Sequence, residues 1–176
     1  MKTSVYIGTS LDGFIARKDG AIEWLMKYQN REVGESYEEF IKDIDAIVIG
    51  RGTYEKVAEF PDWLYNKPVF VLSNSLKQLP DALKGKATLL AMKPKEVLSH
   101  LAAQGFSHAY IDGGKVIQSF LRDDCIDDLI ITKVPELIGS GIPLFGDLAN
   151  DLQFKHTRTD VLSNGLVKSR YERVRG

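Results

Sequence analysis

A single cysteine, Cys125, stands in 176 residues, which excludes an intrachain disulfide framework and leaves no C-x-x-C pair for a structural zinc. The three histidines, His100, His108 and His156, are scattered along the chain, and no metal centre is expected from them. Lysine and arginine (23) nearly balance aspartate and glutamate (24), so no general field draws the chain to nucleic acid or to an acidic membrane. No apolar run is long enough to span a bilayer, and the opening "MKTSVYIGTSLDG" enters a polar loop too early for a secretory signal. A cytoplasmic protein is expected. Three common catalytic signatures are also missing: a G-x-G-x-x-G after the first strand, a P-loop, and a G-x-S-x-G elbow. Cys125 itself sits among Asp123, Asp124, Asp127 and Asp128, neighbours that raise a thiol pKa rather than activate it.

What the chain does have is alternation. Ala46 to Ile49 and Val69 to Leu72 are fully apolar quartets, the pattern of strands buried on both faces. Val33, Tyr37, Phe40, Ile41 and Ile44 fall on one helical stripe, with charged residues on the other side. In "KPKEVLSHLAAQG", Pro94 suits a first helical turn and Gly105 a helix end. Further strands are expected over Met1 to Gly8, Thr88 to Ala91, His108 to Ile111 and Leu129 to Thr132. Asn164-Gly165 marks a hairpin between Leu152 to Leu162 and Leu166 to Val174. "GSGIPLFG", residues 139 to 146, reads as a loop, because Pro143 interrupts it and no helical stripe follows. The expectation is one α/β domain over residues 1–176, a mostly parallel twisted sheet in three α/β/α layers with an antiparallel C-terminal hairpin.

Two strand-to-helix junctions are tight and glycine-rich. In "IVIGRGTYE", Gly50 and Gly52 would let backbone approach a phosphate, Arg51 can bond one bidentately, and Thr53 can cap the helix or donate to an oxygen. In "YIDGGKVIQSFL", Gly113 and Gly114 separate a short strand from the stripe Val116, Ile117, Phe120 and Leu121. In open α/β sheets ligands bind beyond the carboxyl ends of strands, where helix N-termini present free N–H groups. Two such junctions suit a ligand with two anionic parts, such as a dinucleotide. Taken singly, each glycine pair reads first as an ordinary turn.

In order, "SLDGFIA", "GRGTYE", "VLSN", "YIDGGKVIQSFL" and "PELIGSGIPLF" resemble the dihydrofolate reductase-like superfamily, most of all its branch related to the reductase domain of bacterial riboflavin synthesis. The resemblance implies an NADPH-dependent reductase, most nearly one acting on 5-amino-6-(5-phosphoribosylamino)uracil. Alternatives are a dihydrofolate or other pterin reductase and an NADPH-binding sensor without turnover. It implies that Gly50, Arg51 and Thr53 hold cofactor phosphates, and that Ser73 and Asn74 approach the adenosine side. Gly113 and Gly114, with Lys115 and Val116 opening the helix, would lie against nicotinamide and pyrophosphate. Dihydrofolate reductases join that glycine pair by a cis peptide. Trp24 would fall in a mobile active-site loop, and Phe14 stands where riboflavin-pathway reductases often carry lysine, so both are expected at the substrate. Asp12, Glu35 and Asp112 are the acids that would orient substrate or relay a proton. Asp112 replaces a glutamate of those reductases, and Gly34 occupies the position of the pterin-binding carboxylate of dihydrofolate reductases. A small-molecule substrate is implied, and a homodimer by analogy with the riboflavin-pathway relatives.

Overall fold

A computed structural model describes residues 1–175; Gly176, the last residue of the expected domain, lies outside the described part. The chain runs β1 (Lys2–Thr9), β2 (Phe14–Ala16), α1 (Glu23–Met26), α2 (Arg31–Lys42), β3 (Ala46–Gly50), α3 (Arg51–Val57), β4 (Val69–Leu72) and β5 (Ala87–Leu90). It continues with α4 (Pro94–Ala103), β6 (His108–Asp112), α5 (Gly114–Arg122), β7 (Asp128–Lys133), β8 (Ile142–Pro143), β9 (Phe154–Val161) and β10 (Val167–Arg173). Eight strands form one sheet in the order β5-β4-β3-β6-β1-β7-β10-β9. β5 through β7 are mutually parallel, and β10 and β9 close the edge antiparallel. This is a dihydrofolate reductase-like fold.

Alternation along each strand divides the core in two. Val5, Val48, Ala109, Ile111 and Leu129 point to one face, where α4 and α5 pack Val97, Leu101, Ile117 and Phe120 onto them. Ile47, Ile49, Val71 and Tyr110 point to the other, beneath Tyr37, Phe40 and Ile41 of α2 and Tyr54 of α3. α2 begins at Asn30, whose side chain accepts the Val33 N–H and caps the first turn. The aromatic stripe expected of α2 stacks on the sheet: Phe40 lies 4.8 Å from Tyr6 and meets Tyr110 edge-on at 5.1 Å, centroid to centroid.

Two elements depart from expectation. Residues 139–146 are not wholly loop, since Ile142–Pro143 pairs antiparallel with Phe14–Ala16 as a small separate ribbon. Strands of three and two residues are too short to leave a period in the sequence. No peptide bond among the described residues is cis; the Gly113–Gly114 link is trans, with Gly113 at φ +93°.

Both chain ends are fastened to the turn between α5 and β7. The Thr3 N–H donates to Asp127 at 2.8 Å, and the Arg173 N–H donates to the Asp127 carbonyl at 2.8 Å. Arg173 also grips both oxygens of Asp124 (2.7 and 3.1 Å), and Arg175 pairs with Asp127. In this neighbourhood burial, then Asp123, pushes the Cys125 thiol up, as its acidic surroundings implied.

Candidate active site at paired glycine junctions

β6 is inserted between β3 and β1, so the sheet's winding reverses there and the ends of β3 and β6 border the crevice that such a reversal creates. The register places Ile49 beside Asp112. The two glycine junctions, some sixty residues apart in sequence, thus meet side by side.

They interlock. A Cβ on Gly50 would lie 2.9 Å from Val116 Cγ2, so the first junction is glycine because α5 of the second presses on it. A Cβ on Gly113 would lie 2.6 Å from Thr53 Oγ1 and 3.6 Å from the Gly50 nitrogen. Each glycine is bare to admit a side chain from the other junction. Gly52, by contrast, is exposed and faces open space. The first intrahelical bond of α5 runs from the Ile117 N–H to the Gly113 carbonyl (2.9 Å), which leaves the earlier N–H groups of that helix without an intrahelical partner.

Gly114 takes a different place from the one expected. It is buried, and a Cβ there would meet Ile15 Cδ1 at 2.9 Å and Ile142 Cγ2 at 3.2 Å, both on the β2–β8 ribbon. Its bare face is toward protein. Gly114→Ala is therefore expected to cost about 1–3 kcal/mol of stability through overpacking, and to leave unchanged the affinity for any dinucleotide that the crevice binds. Urea unfolding and calorimetry on the same variant check this, and a loss of affinity without loss of stability would return Gly114 to the crevice surface. Val116 is likewise a core side chain, 7% exposed, so only its backbone can face a ligand. Lys115 is exposed on the first turn of α5.

Beyond β4, Ser73 Oγ accepts the N–H groups of Ser75 (3.2 Å) and Leu76 (3.1 Å), tightening the turn that carries exposed Asn74. Arg51 reaches this turn, its Nη1 donating to Ser75 Oγ at 2.8 Å while its Nε pairs with Glu55 at 3.1 Å. Arg51, Ser73 and Asn74 therefore share one rim. Ser75 joins them unannounced, because its role depends on a turn the sequence does not display.

The three acids fare differently. The Asp12 carboxylate accepts from Ser10 Oγ (2.6 Å), the Gly139 N–H (2.8 Å) and the Ile138 N–H (3.3 Å). The Ser10 bond, then those amides, hold it below the usual carboxylate range. It is a permanent acceptor that ties two loops together, which unfits it for proton relay. Glu35 is exposed and paired with Arg31 at 2.6 Å on the outer side of α2. It lies two residues, about 200° of helix, from inward-facing Tyr37. Both acids are thus engaged by protein partners. Asp112 ends β6 beside the first junction, on the Tyr110 face. Burial pushes its carboxyl up to about 6, with hydrogen bonds from Gly113 and Tyr110 opposing and no cation relieving it. Its field in turn helps raise the phenols of Tyr37 and Tyr65, which identifies two aromatic neighbours that the sequence gave no reason to choose.

Trp24 is not on a loop at the substrate. It lies on α1, 1% exposed, packed with Val134, Leu162 and Leu166 beneath the hairpin, and a side chain so enclosed offers a substrate no surface. Phe14 is half-buried in β2, opposite Pro143, and its neighbour Ile15 is the residue that reaches α5.

Among the described residues no helix is long and apolar enough to cross a membrane. Residues 3–168 match the family model of the RibD C-terminal domain. A solved structure from Shewanella sp. PV-4, named "Putative riboflavin biosynthesis protein", is 41% identical with a TM-score of 0.94, covering 99% of this chain and 100% of that one. A Thermotoga maritima diaminohydroxyphosphoribosylaminopyrimidine deaminase/5-amino-6-(5-phosphoribosylamino)uracil reductase has a TM-score of 0.75 at 16% identity, over 98% of this chain and 56% of its own. Enterococcus faecalis dihydrofolate reductase, solved with NADP(H), has a TM-score of 0.69 at 16% identity, over 98% of this chain and 96% of its own.

Proposed function

The chain belongs to the RibD C-terminal domain family, and from that premise we propose that it is an NADPH-dependent reductase, acting by hydride transfer on a ribosylaminopyrimidine-type substrate as in riboflavin synthesis. The observation that carries this is the crevice at the ends of β3 and β6, where interlocked glycine junctions adjoin Asp112, whose carboxyl stands at about 6. The residues suit a dinucleotide: open backbone at Gly52, a guanidinium at Arg51, and α5 amides without intrahelical partners. NADPH would supply the hydride. The protein's part is to hold it on these two junctions, with Arg51, Thr53, Ser73 and Asn74 toward its phosphates and adenosine. Asp112, protonated in an appreciable fraction near neutral pH, would deliver a proton to the substrate atom next to the one reduced. Incubating the protein with NADPH and a panel of ribosylaminopyrimidine, dihydrofolate and pterin substrates, and following nicotinamide absorbance, tests the reading. Tight NADPH binding with no turnover on any of them would favour the sensor instead.

Cofactor choice offers a second check. The Arg51 guanidinium beside Ser73 and Ser75 can meet a 2′-phosphate with charge-assisted bonds. Arg51→Gln is expected to weaken NADPH about ten-fold and to leave NADH nearly unchanged. Calorimetry that showed both cofactors weakened equally would remove Arg51 from the phosphate site.

A further inference from the structure

α2 covers only half of its sheet face. It lies over β3, β6 and β1, while beyond them the same face carries Asp128 and Ile130 on β7 and mostly charged side chains on β10 and β9. Between helix and hairpin opens a cleft of about 390 Å³, whose lining includes Ser4, His108, Asp128, Arg158, Lys168 and Arg170. That volume lies within the range of small-molecule sites. One end of the cleft, with His108 and Asp128, lies where β6 and β7 begin, and it runs along β10 from Arg170 to Lys168, which pairs with Thr132. His108 is four residues, about 13 Å of strand, from Asp112, so this is not the dinucleotide crevice.

Its floor holds more positive charge than its carboxylates use. Asp128 is 3% exposed, and its Oδ2 takes Lys2 Nζ at 2.8 Å, Arg170 Nη2 at 2.9 Å and Ser4 Oγ at 3.1 Å. Asp160 is shared by Arg158 (2.8 Å) and Lys168 (3.7 Å), and Lys168 also donates to Ser36 at 2.7 Å. Four cations thus face two carboxylates. On the α2 rim Glu39 is taken by Lys42 at 2.6 Å, and Asp43 is the remaining acid. His108, 2.8 Å from Ser4 Oγ, is held toward its neutral form by burial and by Lys2.

One atom marks where the surplus points. Arg170 Nε is buried and finds no hydrogen-bond partner among the described residues, although the side chain as a whole is 41% exposed toward the cleft. Buried donors left unpaired are rare, and a guanidinium that spends one nitrogen on Asp128 still has a fork to offer. We propose that the cleft between α2 and the β9–β10 hairpin is a second binding site, for a small molecule bearing an oxyanion that Arg170 and Lys168 hold. The inference is independent of the reductase reading.

The test follows the nitrogen-15-labelled arginine Nε–H signals during titration with inorganic phosphate and, separately, with succinate, at constant ionic strength. A saturable shift of the Arg170 signal is expected. Saturation by phosphate alone would indicate a phosphate ester, and by succinate alone a carboxylic acid. Lys168→Gln keeps a donor for Ser36 but removes the charge, and is expected to weaken the probe about ten-fold. NADPH affinity should not change in that variant. The proposal is overturned if both probes shift the signal only linearly, the mark of an adventitious ion. It also fails if Lys168→Gln titrates with the wild-type midpoint, or if sedimentation shows a second copy covering the cleft.

Discussion

Asp112→Asn is expected to lower kcat for NADPH-dependent reduction about 10²–10⁴-fold, the usual contribution of a positioned general acid. The fall of kcat/KM as pH rises through about 6 in the parent, where Asp112 loses its proton, should vanish with it. The same variant should be more stable at neutral pH. An unfolded aspartate titrates at about 3.9, whereas burial lifts the folded Asp112 to about 6. Between those values the folded state keeps a proton that the unfolded state has lost. Stability is therefore full below pH 4, falls as pH rises through 6, and stays reduced above it. Two units correspond to about 3 kcal/mol, an upper figure because the carboxyl keeps some contact with water. Asparagine carries no charge to bury, so the variant should escape that loss. Urea midpoints at acid and at neutral pH check it: a gap between parent and variant that did not widen with pH would show that Asp112 is not a strained acid. Full activity in the variant would remove it from catalysis.

Gly113→Ala should be strongly destabilising. Two penalties coincide there: a backbone at φ +93° that disfavours any side chain, and a methyl 2.6 Å from Thr53 Oγ1. Together they should cost about 2–6 kcal/mol, from backbone strain of about 1–3 and overpacking of a similar size. The two parts can be separated. Thr53→Gly in the same chain removes the clash but not the strain, so the double variant should recover part of the loss, with a coupling of about 1–2 kcal/mol in a double-mutant cycle. Zero coupling would mean that the junctions do not touch as described.

How much of this was legible beforehand depended on whether a signal was local. The quartets Ala46 to Ile49 and Val69 to Leu72 declared buried central strands, because a strand covered on both faces needs apolar residues at every position. Asn164-Gly165 declared the hairpin. The glycine junctions stood out too, but not what their glycines touch: Val116 against Gly50 and Thr53 against Gly113 are contacts between strands that become neighbours only in the folded sheet. Trp24 was misplaced because a four-residue helix has no period to reveal its buried side. The acids Asp12, Glu35 and Asp112 look alike as letters. Only their surroundings tell them apart: Ser10 and loop amides hold the first, an arginine pairs with the second, and burial lifts the third.

The double fastening of the chain ends has a mechanical consequence. β1 starts and β10 finishes at the same rim of the sheet, on either side of β7, and both are tied to Asp127. Tension applied between the two ends would act across β7 rather than along it. It would first load the Thr3 and Arg173 bonds to that turn, then open the ladders on either flank rung by rung, as a zip yields from its end. The protein should thus give way at low force when pulled by its ends, and the last contacts to feel the strain would be those at the opposite rim, where the glycine junctions lie.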